Sequence, residues 1–337
     1  MIQDAIETAV SGGSLSTEQA SAAMEQIMTG EATPAQFGAL VTALRMKGET
    51  VDEIVGMARV MREKSLHVEV DDVVVDTAGT GGDSSRSFNI STTAALVAAG
   101  AGAKVAKHGN RAMSGSTGSA DVLEALGVKI TLSPESVAMC ILEVGFGFMF
   151  AQGFHPSMRF AAGPRREIGI RTVFNILGPL TNPAGADRQV IGVADPTLAR
   201  RMAESLGRLG SHKALIVHGT DGIDELSISA PSSVWSLENG EVTESKVSPE
   251  QLGLQRAALE SIQIDSPESS AAMARGVLSG ETGPARDVVL MNASAALVAA
   301  DVAGDLVEGV ELAARSIDHG NALARLDELV ELSRTLE

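Results

Sequence analysis

Through the first 66 residues, apolar side chains recur at the spacing of one helix face: Met24, Ile27 and Met28, then Phe37, Leu40, Val41 and Leu44. Three pairs mark helix starts: Ser16 with Gln19, Thr33 with Gln36, and Thr50 with Glu53. Each places a hydroxyl before the helix and a Glu or Gln three residues on. Pro34 adds a first-turn proline, and Gly30 and Gly48 punctuate the ends. The pattern predicts four helices between residues 2 and 66. A bundle this small has little core of its own, so a dimer surface is expected on it.

After a linker at 67–72 the pattern changes to short β-branched runs alternating with helical stretches. Strands are predicted at 73–75, 104–106, 128–132, 146–150, 189–193 and 214–217. Helices are predicted from near Ser91, over 120–126, from Ser133-Pro134 through Val144, and from Asp195-Pro196. Such alternation predicts an α/β domain with a central, mostly parallel sheet covered on both faces. Residues 225–229, 233–237 and 241–247 read as an antiparallel meander, because Ala230-Pro231-Ser232 and Glu238-Asn239-Gly240 are turn signals. Residues 287–300 and two segments after Asp305 return to helix. The division expected is a small N-terminal helical domain, 1–70, joined to a larger α/β domain, 71–337.

Two loops carry the candidate chemistry. The run at 73–83 ends in Gly79-Thr80-Gly81-Gly82-Asp83, a strand followed by a glycine-rich turn and then a helix. Glycines there permit positive φ and close approach to a ligand, and a helix N-terminus offers unpaired N–H groups and positive potential. A second loop, Lys107-His108-Gly109-Asn110-Arg111 followed by the hydroxyl-rich stretch 114–119, comes after the next strand. Two phosphate cradles at the ends of successive strands match the place where open α/β sheets bind ligands.

Charge narrows the ligand classes. The 337 residues carry a net charge of −17, with 3% aromatics, one Trp and no Tyr. Nonspecific nucleic-acid binding needs phosphate neutralisation and stacking surfaces, and both are scarce. An anion must meet locally concentrated cations: Lys104, Lys107 and Arg111 form one expected cluster, and Arg159, Arg165, Arg166 and Arg171 a second. The single Cys140 forms no intrachain disulfide and no thiolate zinc site. No signal-like N-terminus or spanning apolar run is seen, and the expectation is a cytoplasmic protein. Asp224-Glu225 is a hard-ion pair of the kind magnesium takes; adjacent acids in so acidic a chain are otherwise surface charge.

Taken in order, Gly79-Thr80-Gly81-Gly82-Asp83, Phe88-Asn89-Ile90-Ser91-Thr92, Lys107-His108-Gly109-Asn110-Arg111 and Gly118-Ser119-Ala120-Asp121-Val122-Leu123-Glu124 resemble the anthranilate phosphoribosyltransferase family. His155-Pro156, Met158-Arg159, Arg165-Arg166-Glu167, Arg171-Thr172, Phe174-Asn175, Leu177-Gly178-Pro179-Leu180 and Asp221-Gly222 with Asp224-Glu225 extend the resemblance over nearly the whole chain. It implies transfer of a phosphoribosyl group from phosphoribosyl pyrophosphate to anthranilate, on the path to tryptophan. It also implies a hinge between the domains, with part of 165–185 returning to the helical one, and a homodimer through the helical domain.

By motif, the residues implied to line the phosphoribosyl pyrophosphate site are Gly79, Gly82, Asp83, Ser87, Asn89, Ile90, Ser91, Thr92, Lys107, His108, Gly109, Asn110, Arg111, Ala112, Met113, Ser114, Gly115 and Ser119. Gly79, Asn110 and Arg165 are implied to face anthranilate. Ser91, Asp224 and Glu225 are implied to hold magnesium, as two ions. His108 and His155 are candidates for contact with the substrate ring or carboxylate, and no residue is assigned as an acid or base.

This sequence departs from the family pattern in three places. Ser87 stands where threonine is usual, the 114–117 loop lacks a second serine and a basic residue, and Gln152-Gly153-Phe154 is atypical. A pyrimidine nucleoside phosphorylase shares the implied architecture but carries other residues after the Lys-His-Gly triplet. A transferase-like protein with a different acceptor, or one binding nucleic acid, is a further alternative. A dinucleotide-binding oxidoreductase needs a G-x-G-x-x-G spacing that 79–83 lacks.

Overall fold

All three helix-start signals close as capping boxes. Helices α1 (Ile2–Val10), α2 (Thr17–Met28), α3 (Pro34–Lys47) and α4 (Val51–Glu63) fill the N-terminal segment. Ser16, Thr33 and Thr50 accept the N–H of Gln19, Gln36 and Glu53 at 3.2, 3.2 and 3.3 Å. Each third residue accepts the cap's own N–H in return, at 2.9, 2.9 and 2.8 Å. Glu53 is buried and also takes Leu15 N–H at 2.8 Å and the Lys47 ammonium at 2.7 Å, which ties the start of α2 to α4. The computed structural model describes residues 1–83, 85–112 and 117–336.

The rest of the chain builds one sheet. Its strands are β1 (Val75–Gly79), β2 (Val105–Gly109), β3 (Phe146–Phe150), β4 (Arg188–Gly192), β5 (Lys213–Gly219), β6 (Ser232–Glu238) and β7 (Glu241–Val247), in the order β3-β2-β1-β4-β5-β6-β7. The first five are mutually parallel, and β6 and β7 add an antiparallel hairpin. Between and after the strands run α5 (Ile90–Gly100), α6 (Ser119–Ala125), α7 (Pro134–Val144), α8 (Ala151–Phe154), α9 (Arg159–Ile168), α10 (Val173–Leu177), α11 (Ala199–Arg208), α12 (Pro267–Leu278), α13 (Pro284–Ala299), α14 (Leu306–Asp318) and α15 (Asn321–Thr335). Among the described residues no helix is long and apolar enough to cross a membrane.

Strand alternation divides the core in two. Val190, Leu215 and Val217 face α5, α13 and their neighbours, while Ile191, Ala214 and Ile216 face α11 and the N-terminal helices. The second core is continuous with the interior of the bundle. Helix α9 packs on α2 and α3, and α10 packs on α3 and α4. The segment 159–177 thus belongs to the bundle side although it follows β3 in sequence.

Several sequence expectations shift. The first strand begins at Val75, not Val73, whose side chain is exposed, and it runs on through Asp76 and Thr77 to Gly79. Polar residues fit inside it because their partners are tertiary: the Asp76 carboxylate accepts His108 N–H at 3.0 Å. Residues 128–132 are not a strand, and β2 lies between β1 and β3. Residues 225–229 are a bent loop, held by Asn292, which takes Leu226 N–H at 2.9 Å and donates back to its carbonyl at 3.0 Å.

Candidate active site

Strands β1 and β2 are parallel neighbours, and both candidate loops leave from their C-terminal ends. Gly79 closes β1 against Asp224: a Cβ at Gly79 would stand 2.7 Å from Asp224 Oδ2. That same oxygen accepts Gly81 N–H at 2.9 Å. Gly81 and Gly82 have φ of +65° and +82°, the left-handed region that glycine enters without strain. Asp83 then turns the chain by accepting the Ser85 hydroxyl at 2.6 Å, and Ser85 in turn bonds Ser87 Oγ at 3.1 Å.

Sequence reasoning missed the brace beneath this loop. Residues 259–270 run alongside 85–89: Phe88 N–H donates to Ile262 O and Ile264 N–H to Arg86 O, both at 2.9 Å, and Gln263 Nε2 reaches Ser85 O at 2.8 Å. Ser270, on α12, takes Asn89 N–H at 3.1 Å and donates to Asn89 Oδ1 at 2.8 Å. The brace comes from more than 170 residues away and has no local signature.

Helix α5 starts at Ile90; Ile90 and Thr92 are buried, and Ser91 between them is partly exposed. The Ser91 backbone lies against the Glu225 carboxylate and favours its charged form. This brings Ser91, Glu225 and Asp224 together at the helix's positive end. Burial raises Glu225 well above the usual carboxylate range, and the Asp224 charge adds to it. Burial, then Asp83, pushes Asp224 up to about 7. Excess negative charge is therefore gathered where a cation would relieve it.

Among the described residues no three His, Cys, Asp or Glu side chains converge as a closed metal site. Two carboxylates and a hydroxyl are instead the partial oxygen set that magnesium takes alongside water and phosphate, and the residues fit that ion.

Lys107 lies deeper than a phosphate contact would place it. It is 1% exposed, and its ammonium donates to Thr77 O, to Thr77 Oγ1 at 3.0 Å and to Ser91 Oγ at 3.3 Å. Burial lowers its pKa, while the charges of Asp76 and Glu225 hold it up. Lys107 supports the acidic group from beneath.

His108 and His155 pack with ring centroids 5.0 Å apart. Burial takes His108 down to about 3 and His155 to about 4, so both are neutral at ordinary pH. Each leaves its buried Nε2 without a hydrogen-bond partner among the described residues.

The second loop is closed by Asp121, whose Oδ2 accepts Ala112 N–H at 3.1 Å and Gly118 N–H at 2.9 Å. Gly109 must be glycine, because a Cβ there would meet Ser119 Oγ at 2.1 Å. Asn110 is exposed, with its carbonyl taking Ala120 N–H at 3.2 Å. Arg111 turns to α6, pairing with Asp121 at 2.9 Å and with Glu124. Met113, Ser114 and Gly115 lie outside the described residues, so the atypical 114–117 loop is represented only by Thr117.

The two basic clusters separate. Lys104 sits at the opposite end of β2 from Arg111 and pairs with Asp72 at 2.6 Å. Arg159 stacks on Phe160, and Arg165 on Phe174 with its guanidinium carbon 5.3 Å from the ring centre. Arg171 donates to Thr80 O at 3.0 Å.

A helical bundle beside a mostly parallel sheet, with a glycine cradle facing an acidic group, defines a glycosyl transferase of the two-part, bundle-plus-α/β kind. Residues 3–65 match the helical bundle domain of the glycosyl transferase family, and residues 71–323 match its a/b domain. The chain is 56% identical over 335 residues to the anthranilate phosphoribosyltransferase of Chloroflexus aurantiacus, covering 99% of both.

The crystal structure of anthranilate phosphoribosyltransferase from Thermus thermophilus superposes with a TM-score of 0.93 at 46% identity, over 98% of this chain and 99% of that one. The Saccharomyces cerevisiae enzyme in complex with phosphoribosyl pyrophosphate and magnesium gives 0.91 at 28%, over 99% and 98%. The same yeast enzyme with 4-fluoroanthranilate gives 0.89 at 26%, over 99% and 98%. The chain belongs to the anthranilate phosphoribosyltransferase family.

Proposed function

We infer that this protein transfers the 5-phosphoribosyl group from phosphoribosyl pyrophosphate to the amine of anthranilate, releasing pyrophosphate, in tryptophan biosynthesis. The observation that carries the reading is full-length similarity at 56% identity, joined to a cleft whose glycine turn and carboxylates suit a pyrophosphate with magnesium. The anthranilate nitrogen forms a bond to ribose C1 as the C1–oxygen bond breaks. Pyrophosphate keeps the electron pair, and the amine sheds a proton.

The donor lies against Gly79, Gly82, Asp83, Ser87, Asn89 to Thr92, residues 108–115 and Ser119, with Lys107 beneath. Gly81 and Gly82 bring backbone close to the phosphates, and the α5 N-terminus faces them. Ser91, Asp224 and Glu225 would hold magnesium, as two ions. Bound magnesium neutralises the charge that builds on the leaving group. Lys107 keeps those carboxylates in place from below rather than touching phosphate.

The acceptor meets Gly79, Asn110 and Arg165. An aryl amine is unprotonated near neutral pH and needs no strong base, which agrees with imidazoles held neutral at His108 and His155. Their paired rings line the acceptor side. The residues 1–70, with part of 165–185, close on 71–337 as a hinged unit, bringing the substrates together and excluding water. A homodimer forms through the bundle, where Met1, Val10 and Met46 expose apolar surface.

The test mixes the protein with magnesium and phosphoribosyl pyrophosphate and follows loss of anthranilate fluorescence. No loss, with thymidine phosphorolysis instead, would favour the nucleoside phosphorylase reading.

A further inference from the structure

Arg171 lies in the connection between α9 and α10, outside the residue set assigned above. Its Nη2 donates to Thr80 O at 3.0 Å. Its Nη1 fills the space over Gly82, where a Cβ would stand only 1.9 Å from it. Beside Gly81, in contrast, there is open space. The turn is thus gripped from two sides, by Asp224 through Gly81 N–H at 2.9 Å and by Arg171 through Thr80 O.

The two grips come from different parts of the molecule. Asp224 belongs to the α/β domain, while α9 and α10 pack on the N-terminal helices. Arg171 therefore reaches from the bundle side to the glycine turn, and the segment that carries it also carries Arg165. Together with the buried Lys107 beneath, Arg171 sets positive charge against a turn faced by Asp83, Asp224 and Glu225.

We propose that Arg171 is a positioning residue for the pyrophosphate-binding turn, holding Thr80–Gly82 from the bundle side so that the donor meets a fixed backbone. The proposal rests on phosphoribosyl pyrophosphate being the donor. An arginine that only stabilises a loop would lower stability without favouring one substrate over the other. A positioning arginine acts on the donor's KM.

Two-substrate kinetics on wild type, Arg171→Ala and Arg171→Lys, with magnesium saturating, separate these. Arg171→Ala is expected to raise the KM for phosphoribosyl pyrophosphate about tenfold or more, as loss of a charge-assisted hydrogen bond does, with the KM for anthranilate within about twofold. Arg171→Lys keeps one charge and one donor and should recover most of that loss. Gly82→Ala, which places a methyl where the guanidinium sits, should be less harmful in the Arg171→Ala background than in wild type. Equal rises in both KM values, no change in either, or additive effects with Gly82→Ala would overturn the proposal. If wild type itself fails to consume anthranilate, the donor reading fails first; if wild type turns over and Arg171→Ala matches it, only this inference does.

Discussion

Ser270 and Asn89 are joined by two hydrogen bonds: the Ser270 hydroxyl accepts Asn89 N–H at 3.1 Å and donates to Asn89 Oδ1 at 2.8 Å. The pair fixes which end of the Asn89 amide is the acceptor, and leaves its NH2 group as the end offered to a ligand. It also sets the residue before α5, whose N-terminus faces the proposed pyrophosphate site. Ser270→Ala removes both bonds at a fully buried position and orphans an amide oxygen. Urea unfolding should show a loss of about 1–3 kcal/mol. The KM for phosphoribosyl pyrophosphate should rise, while that for anthranilate stays near wild type. An unchanged donor KM would mean that Asn89 is not held by Ser270 for binding.

The two neutral imidazoles predict a pH signature. His108 and His155 have folded values near 3 and 4, below the ordinary 6.5, because burial disfavours the charged ring. The folded state then binds fewer protons than the unfolded one, so their contribution to stability is complete above about pH 6.5 and is lost as pH falls toward their folded values. Asp76 works in the opposite direction: burial raises it to about 6, and its contribution is complete below its ordinary 3.8 and lost as pH rises through 6. Comparing wild type with the double variant His108→Gln/His155→Gln isolates the imidazoles. Between pH 7.5 and 5.5 wild type should lose about 1–3 kcal/mol more than the variant in urea unfolding. The kcat profile should show no histidine inflection over that range, and an inflection near 6.5 would mean that a ring is exposed and charged.

How far the sequence carried these assignments depended on the range of the interactions. The capping boxes at Ser16, Thr33 and Thr50 were readable because both partners lie within one turn. The parallel character of the sheet followed from strand–helix alternation, whereas the spatial order of its strands did not. The strand start at Val75 did not, because Asp76 and Thr77 enter the sheet only with His108 and Lys107 as partners. Motifs placed Asp224-Glu225 at the cradle, but residues 225–229 looked like a strand because the Asn292 side chain that bends them is remote. Ser270 and Gln263 gave no signal at all. Lys107, Lys104 and Arg111 looked like one cluster from spacing alone; strand geometry sends Lys104 to one end, buries Lys107 and turns Arg111 to α6.

Arg165 is the proposed carboxylate fork for anthranilate. Burial lowers its pKa, and its guanidinium lies on the Phe174 ring, which restricts the orientations of its plane. Arg165→Ala should raise the KM for anthranilate about tenfold or more and leave that for phosphoribosyl pyrophosphate much less affected. Arg165→Lys should recover little, because an ammonium cannot supply two parallel donors to one carboxylate. Two-substrate steady-state kinetics decide the matter, and equal changes in both constants would sink the assignment. Phe174→Leu should show a weaker version of the same split, since it removes the ring and leaves the fork.

Asp224→Asn separates charge from shape at the proposed metal site. An amide oxygen at the same position still accepts Gly81 N–H, so the glycine turn keeps that contact. What the variant loses is one of two adjacent carboxylates: burial and then Asp83 raise Asp224, and burial and then the Asp224 charge raise Glu225. Without metal, relief of that repulsion should make the variant at least as stable as wild type in thermal unfolding at pH 8. With metal, the order should reverse: magnesium should raise the wild-type midpoint and have a smaller effect on the variant. Activity should need about tenfold or more magnesium to half-saturate, given that even supporting residues around a metal cost about that much when changed. A variant with wild-type magnesium dependence in both assays would move the metal away from Asp224 and leave that carboxylate as the turn's backbone acceptor alone.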